Sequence, residues 1–242
     1  MADTTFIGRL RRLTCLAEED LSALVGLMER PEKSGREHAL ANEGDAPRRV
    51  HILEQGYAAR VKMLSDGQRH ICGLLLPGDL CDIDALYVSR YDYGVVTLAA
   101  SNVIAMDRQA LSSLCEKRPT IARALTWLGF VDNSMLNESA TSLALRSAIQ
   151  RLAHLFGELN ARLGAIGRTQ ADGYDLPITQ ERLAETVGLT SVHVNRTLRD
   201  LRERGLARFQ QGRVIVPDWG ALKRAAGFFP NYLHLEGLGT TA

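Results

Sequence analysis

The sequence predicts an α+β fold, in which an antiparallel β-roll of the jelly-roll type is followed by a long helix and then by a mainly helical domain. Three observations lead to this prediction. Short apolar runs separated by glycine turns occupy residues 38–110, helical spacing covers 108–145, and residues 177–217 combine two capped helices with two short strands. The predicted units are residues 1–115, 116–145 and 146–242.

Five apolar runs in the first unit have the length of strands, and turn signals that contain glycine separate them. Near-constant spacing separates Gly44, Gly56, Gly67 and Gly78, as the tight corners of a β-roll require. Short strands at such spacing favour an antiparallel barrel or jelly roll. The runs are Val50–Leu53, Ala58–Leu64, His70–Leu76, Val95–Ala100 and Val103–Met106.

The region 108–145 predicts a long helix, and Pro119 suits its first turn because the N–H that proline lacks would have no partner there. An apolar stripe follows this helix with a period near 3.5 residues, which is typical of a coiled-coil seam. We expect the stripe to pair with a second copy of the chain; the alternative is that it packs against its own β-roll. The stripe consists of Ile121, Leu125, Leu128, Val131 and Met135.

Two further helical regions flank these units. Residues 9–30 have apolar residues at helical spacing and predict one or two short helices. Arg146–Gly164 predicts an amphipathic helix that begins the C-terminal domain. Gly164–Tyr174 predicts a loop, because it holds three glycines and shows no periodicity.

Residues 177–217 begin with the signals of a helix and a sharp turn. Thr179 can cap a first helix over Gln180–Thr186, since threonine oxygen accepts a hydrogen bond from a free N–H of the first turn. Gly188 follows where the chain must turn, and glycine allows the positive φ that the turn requires. Together these signals predict the first half of a helix-turn-helix.

The second half contains another cap and a short β-hairpin, or wing. Thr190 can cap a second helix over Ser191–Arg204, and apolar residues recur along one side of that helix. The opposite side is polar and carries arginines, as in a helix that enters the major groove of DNA. The two strands of the wing are predicted over Leu206–Phe209 and Arg213–Val216.

Local charge agrees with a nucleic-acid partner. Between residues 176 and 224, nine Lys and Arg stand against five Asp and Glu, a balance of +4 in a chain whose net charge is +1. The alternative interpretation is a helical hairpin with a solvated arginine face. The candidate DNA-contacting residues are Thr179, Gln180, Thr190, Ser191, Val192, His193, Asn195, Arg196, Arg199 and Arg213.

Residues 177–217 resemble the DNA-binding domain of the Crp/Fnr family of bacterial transcription regulators, and the glycine spacing of the first unit is similar to that of the cyclic-nucleotide-binding β-roll. The resemblance therefore covers nearly the whole chain. It implies a cytoplasmic regulator that binds an inverted repeat in double-stranded DNA as a homodimer, with RNA polymerase as a partner and no membrane. Of the base-reading set in the cyclic-AMP receptor, only Arg196 is matched, because Ser191 and Val192 replace an arginine and a glutamate.

The resemblance also bears on the effector. Family members that hold cyclic nucleotide use a cassette after the Gly78-Asp79 turn, with a glycine and a glutamate for the ribose and an Arg-Ser pair for the phosphate. In this chain those positions fall on Asp82, on Ile83 and near Tyr93-Gly94, so the cassette lacks its arginine. An unpaired phosphate in a closed pocket is costly, so we expect no physiological cyclic-AMP binding. Candidate residues for another, unidentified effector are Asp82, Ile83, Tyr93, Asn133 and Ser134.

Four cysteines, Cys15, Cys72, Cys81 and Cys115, are widely spaced without a CxxC pair, which predicts reduced thiols. Only Cys15 lies in the N-terminal region where the oxygen-sensing branch of the family clusters its iron–sulfur ligands. We therefore expect no cluster, no haem and no metal. Redox sensing through Cys72 or Cys81 is one interpretation, and buried inert thiols are the other.

The composition and the motifs that the sequence lacks narrow the classes of protein to which the chain can belong. The sequence has no apolar run of 18 residues and no N-terminal apolar h-region, so we expect neither a transmembrane helix nor a secretory signal. It has no nucleophile–base pair, paired-carboxylate motif or phosphate loop, so we expect no enzymatic activity. Two alternatives stay open: a cupin-like small-molecule or metal-binding protein, and a protein–protein signalling module without a role at DNA.

Overall fold

The structure is a computed structural model that describes residues 4–238, so the outermost ends of the predicted units lie outside the described residues. Within this range, no helix is both long enough and apolar enough to cross a membrane. The helices are α1 Thr5–Leu13, α2 Glu18–Leu27, α3 Arg108–Lys117, α4 Pro119–Leu145, α5 Ala148–Gly164, α6 Gln180–Val187, α7 Ser191–Glu203 and α8 Trp219–Ala226. The strands are β1 Glu32–Ser34, β2 Ala39–Ala41, β3 Arg49–Gln55, β4 Ala58–Met63, β5 Arg69–Leu75, β6 Gly94–Thr97, β7 Ser101–Asp107, β8 Gly173–Asp175, β9 Arg208–Gln210 and β10 Arg213–Ile215.

Two antiparallel sheets form the β-roll. One sheet has the strand order β1-β7-β3, and the other has the order β2-β6-β4-β5. In the first sheet Ile52 lies opposite Ile104, and in the second Ala58 lies opposite both Leu75 and Thr97. The predicted fold class, an α+β chain with an N-terminal antiparallel roll, is confirmed.

Each of the five predicted runs corresponds to one strand from β3 to β7. Strands β1 and β2 were not predicted, because each has only three residues and neither contains a β-branched or aromatic side chain. Partners distant in the sequence hold them in place: Glu32 lies opposite Val103, and Ala39 lies opposite Val96.

The central part of the four-stranded sheet is buried on both faces. Side chains alternate across a strand, so Val95 packs in the core of the roll whereas Val96 packs on the outer side. Ala58 and Ala59 divide in the same way. The outer residues form one hydrophobic cluster with the C-terminal domain, which includes the fully buried Phe156. A shared apolar interface of this kind restrains the motion of one domain against the other.

Helix α4 has 27 residues and begins at Pro119, as its first-turn proline predicted. The chain leaves the helical conformation at Arg118, so the long helix begins three residues later than the predicted boundary at 116. The predicted role of its apolar stripe is wrong. A 3.5-residue period shows that one face is buried but not what buries it, and here the covering surface belongs to the same chain. Met135 packs against the core shared with the C-terminal domain. The other four stripe residues are at most 5% exposed: Ile121, Leu125, Leu128 and Val131.

The C-terminal domain packs α5, α6, α7 and α8 against a small sheet with the order β8-β10-β9. Val214 lies at the centre of this sheet, opposite Tyr174 and Phe209. Strand β8 lies where a loop was predicted. Gly173 permits its pairing, because a Cβ at this position would lie 1.9 Å from the carbonyl oxygen of Val214.

Candidate nucleic-acid interface

Helix α6 and the turn after it follow from local signals. The Thr179 hydroxyl accepts a hydrogen bond from the backbone N–H of Arg182 at 3.3 Å, which caps the helix. Gly188 ends the helix with a φ of +63°. A Cβ at Gly188 would lie 2.8 Å from Leu143 Cδ2 of α4. Both the left-handed backbone and this close contact therefore favour glycine at the turn.

Helix α7 begins as predicted and ends at Glu203, one residue earlier than predicted. Its cap is the Thr190 hydroxyl, which accepts a hydrogen bond from the His193 N–H at 3.2 Å. Val194 and Leu201 are fully buried on the inner side, and burial of such a side chain contributes about 1.5–3 kcal/mol. Their burial fixes which face of α7 is turned outward.

The outward face of α7 contains the predicted base-reading residues, and all of them are exposed. Val192 is 73% exposed, although it is apolar. Asn195 donates a hydrogen bond to the Ser191 carbonyl of its own helix at 3.0 Å. Within residues 4–238, no acidic side chain pairs with Arg196 or Arg199. The exposed set is Ser191, Val192, His193, Asn195, Arg196 and Arg199.

The residues predicted to contact phosphates differ in exposure and in the partners that they already have within the chain. Thr179 and Thr190 are exposed, and both hydroxyls already serve as helix caps. Gln180 is half-buried at the first position of α6. The Arg213 guanidinium on β10 forms ion pairs with Asp172 at 2.8 Å and with Asp175 at 3.4 Å. These two carboxylates compete with any phosphate for Arg213.

A cleft of about 970 Å³ lies between the β-roll and α4, and three of the predicted effector residues line it: Ile83, Tyr93 and Asn133. Ser134 is not among the lining residues, and its hydroxyl donates instead to the Phe130 carbonyl at 3.1 Å. Because α4 forms one wall, the cleft connects the roll directly to the long helix.

The prediction for Asp82 is wrong. Its carboxylate is fully buried and accepts hydrogen bonds from the His51 N–H at 2.7 Å and the Tyr91 hydroxyl at 2.8 Å. The His51 ring Nδ1 lies 2.7 Å from its second oxygen. Burial of a carboxylate requires such partners. Asp82 therefore holds the roll together and is not available to a ligand.

Arg60 is a cleft residue that sequence reasoning missed. Its Nε donates to the Cys81 carbonyl at 2.7 Å, and its Nη2 donates to Asp132 of α4 at 2.6 Å. The guanidinium also lies 5.9 Å from the centre of the Tyr93 ring. Arg60 follows Ala58 by two residues on β4, so strand alternation could have placed it on the inner face. The cleft thus contains an arginine, but Asp132 already neutralises it.

Cys72 and Cys81, the two cysteines considered for redox sensing, are both at least partly shielded from solvent. Cys81 is buried and Cys72 is half-buried, and burial raises the pKa of both thiols, that of Cys81 well above its usual range. A raised pKa disfavours the thiolate that redox chemistry uses. Among residues 4–238, no group of three or more His, Cys, Asp or Glu side chains is arranged to hold a metal ion.

Comparison with known proteins finds two family models along the chain. Residues 32–118 match the cyclic nucleotide-binding domain, and residues 150–225 match the Crp-like helix-turn-helix domain. The transcriptional activatory protein AadR of Rhodopseudomonas palustris is 29% identical over 187 residues, which are 76% of this chain and 73% of that protein. The transcriptional activator protein FnrL of Cereibacter sphaeroides is 27% identical over 188 residues, which are 76% of this chain and 75% of that protein.

The solved structure of FixK2 from Bradyrhizobium japonicum has a similar fold, with a TM-score of 0.74 at 20% identity over 81% of this chain and 96% of that one. A cyclic-nucleotide-binding type of roll, a long helix and a winged helix-turn-helix together define a two-domain transcription regulator of bacterial type. Both domain matches, the relatives and the shared fold agree on one group: the chain belongs to the Crp/Fnr family of transcription regulators.

Proposed function

We propose that this protein acts as a homodimer that recognises an inverted repeat in double-stranded DNA through helix α7. The main support is the outward face of α7, whose two arginines have no acidic partner in the described part of the chain. Unpaired, exposed cations beside amide and hydroxyl groups are what DNA backbone and base edges require. By contrast, most buried or half-buried arginines of the chain are paired.

Within α7, the contacts divide by chemistry. Arg196 in the second turn can donate two hydrogen bonds to guanine O6 and N7. Asn195 and His193 can reach neighbouring bases or phosphates, and the exposed Val192 can contact a thymine methyl group. In a dimer, the two copies of α7 would enter successive major grooves about 34 Å apart.

Phosphate contacts would fix the register of the helix. These contacts would come from hydroxyl, amide and guanidinium groups on α6, on α7 and on the wing, of which Gln180 and Arg213 are half-buried. Helix N-termini also attract phosphate, because their free N–H groups and the helix dipole favour negative charge. The candidates are Thr179, Gln180, Thr190, Ser191, Arg199 and Arg213.

The outward face of α4, rather than its apolar stripe, supports the homodimer. Exposed residues recur on it at alternating steps of four and three, the heptad spacing of a coiled coil. Phe130 is 67% exposed on this face. The small residues allow close approach, and a seam asparagine favours one register and oligomeric state. The seam residues are Thr126, Phe130, Asn133, Asn137, Ala140 and Ala144.

Sedimentation tests this seam. Phe130→Asp should convert the dimer to a monomer, because a charge would replace the largest apolar side chain of the seam. The matched control is Phe229→Asp, since Phe229 is 71% exposed but lies in the C-terminal tail. A dimer that survives Phe130→Asp, or that Phe229→Asp dissociates equally, would contradict the proposed seam.

The effector, if one acts, would bind in the cleft beside Ile83, Tyr93 and Asn133 and would not be cyclic AMP. A cyclic phosphate would meet Arg60 already neutralised by Asp132 at 2.6 Å. It would also meet further carboxylates of the cleft wall, including Asp84 and Asp92. Titration calorimetry that found sub-micromolar cyclic-AMP affinity would overturn this part of the proposal.

The functional units would be the roll with α3, then α4, then the C-terminal domain from α5 onward. The partner at a promoter would be RNA polymerase.

The decisive experiment is selection of duplexes from a random pool by the purified chain. We expect an inverted repeat and an affinity that falls steeply with salt, because phosphate contacts release counterions. Recovery of no common sequence, with binding independent of salt, would refute DNA recognition.

A further inference from the structure

Four charged side chains form a closed ring, here called the charge ring, between the β-roll and helix α6. Arg69 of β5 contacts Glu37 at 2.9 Å and Glu185 at 3.0 Å. Arg182 of α6 contacts Glu37 at 3.1 Å and also pairs with Glu185. Each arginine thus bridges both carboxylates, and two members come from each domain.

The ring is largely shielded from solvent. The side chains of Arg69, Glu185 and Arg182 are 14%, 16% and 18% exposed. Glu37 is the most exposed member, at 38%. Salt screens such shielded pairs less than surface pairs, and removal of one member leaves an opposite charge without its partner. The ring therefore links the two domains more firmly than exposed ion pairs would.

The backbone conformation of Glu37 determines how the β-roll contributes to the charge ring. Glu37 has a φ of +58°, a left-handed conformation that side chains other than glycine rarely adopt. Its N–H donates to the Thr97 carbonyl at 2.8 Å, which holds the turn between β1 and β2 against β6. Non-glycine residues in this region persist where the surrounding structure requires them. Here the turn directs the Glu37 carboxylate to α6.

A second contact ties the same helix to the same strand. The ring Nδ1 of His70, the residue after Arg69, lies 2.7 Å from the Glu185 carbonyl oxygen. Helix α6 in turn shares a hydrophobic cluster with α7, in which Leu183 and Val194 are fully buried. A displacement of α6 would therefore carry α7 with it.

We propose that the charge ring orients α7 for the two half-sites of the operator, so that Glu37 and Arg69 are positioning residues for DNA binding. This inference rests on the proposed function. With the ring closed, the reading face of α7 points outward and none of its residues contacts the roll through a hydrogen bond or ion pair in the described chain. The closed ring thus favours DNA binding. Its loss changes the orientation of α7, and the two copies of α7 in a dimer can then no longer fit both half-sites at once.

The test uses the full-length dimer with Arg69→Met, and Glu37→Gln as a milder second variant. Arg49→Met is the matched control, because Arg49 also begins a strand and pairs with Glu29, but in the roll and at greater exposure. Each protein is assayed on the selected inverted repeat and on a duplex with one half-site scrambled. Amide hydrogen exchange of residues 180–187 is measured in parallel without DNA.

Arg69→Met should lose about tenfold in affinity for the inverted repeat and Glu37→Gln a smaller factor, and both should lose less on the duplex with a single half-site than on the inverted repeat. Exchange in α6 should accelerate in both, while Arg49→Met matches the wild type. Unchanged exchange, unchanged or higher operator affinity, or an equal loss on both duplexes would overturn the proposal. A wild type that binds no duplex would refute the proposed function, and the exchange result would still decide whether the ring restrains α6.

Discussion

The outward face of α7 and the cleft between the roll and α4 are the two surfaces for which the sequence predicted a ligand, and they differ in how their polar groups are satisfied. On α7, Arg196 and Arg199 are exposed, and within the described residues no carboxylate pairs with them. In the cleft, Arg60 is bound to Asp132, and Lys62 is bound to Glu43 at 2.6 Å.

The difference separates a surface that needs an external partner from one whose cations are already neutralised by carboxylates of the same chain. Free, exposed donors keep their full hydrogen-bonding capacity for DNA. Cations that are already paired must first lose a partner, and breaking a shielded pair is costly. The retained β-roll therefore does not by itself indicate a retained nucleotide site.

The largest effect should come from opening the cleft pair. Asp132→Ala leaves the shielded Arg60 guanidinium without its carboxylate, and the free energy of unfolding should fall by about 3 kcal/mol. Urea denaturation measures this change. As a control, Glu43→Ala removes an acid from a pair whose side chains are 44% and 46% exposed, and should cost less than about 1 kcal/mol. Equal effects of the two variants would break the comparison.

A substitution on the outward face of α7 should change the affinity for DNA and leave the stability of the fold unchanged. Arg196→Ala should weaken binding to the selected operator by about 1–3 kcal/mol and relax the preference at one base pair. Fluorescence anisotropy at fixed salt checks the affinity, and the thermal midpoint should stay constant because Arg196 is exposed. Arg123→Ala, at an exposed position of α4, is the control. Operator affinity that does not change in Arg196→Ala would show that α7 is docked wrongly.

The junction of α4 and α5 extends the comparison to a buried titratable group. Burial, together with the nearby Arg146, lowers the pKa of His154 to about 4, while Glu138 opposes the shift. The unfolded chain has a histidine pKa near 6.5, so between these values it binds more protons than the folded chain. The free energy of unfolding should therefore fall as the pH drops from 7 to 4.

Denaturation of the wild type and of His154→Gln across this pH range isolates the contribution of the histidine. The variant should show a flatter dependence between pH 6.5 and 4, since it lacks the imidazole that gains a proton when the chain unfolds. Superimposable pH profiles of the two proteins would contradict the lowered pKa.

The smallest effect should come from Arg213, a wing arginine that is already paired with Asp172 and Asp175. Arg213→Ala should weaken binding to all DNA sequences alike, by less than about 1 kcal/mol, because phosphate contacts carry no sequence information. Anisotropy with specific and random duplexes measures this. A larger loss than that from Arg196→Ala would reverse the order that the pairing of these arginines predicts.

Local signals made the helix-turn-helix predictable to within a residue or two. Thr179, Gly188 and Thr190 act through hydrogen bonds and backbone angles of their own neighbourhood, so the sequence contains them directly. The fold class followed in the same way from the strand-length runs of the roll. Strand β8 could not be predicted, because its pairing depends on Val214, some forty residues away.

The cleft was less predictable for a similar reason. The buried role of Asp82 depends on His51, which is 31 residues away, and on Tyr91. The neutralisation of Arg60 depends on Asp132, which is 72 residues away. The stripe of α4 shows a related limit, since periodicity identifies a buried face but not the surface that covers it. A local pattern thus predicted which groups point inward, and only the fold shows their partners.

Hydroxyl-radical footprinting of the wild-type dimer on its selected operator tests the central claim most directly. Two copies of α7 in successive major grooves should protect two patches centred about 10 base pairs apart on one side of the duplex. Arg196→Ala should weaken both patches equally at the same protein concentration. A single protected patch, or a protected region that Arg196→Ala leaves intact, would contradict reading of an inverted repeat by α7.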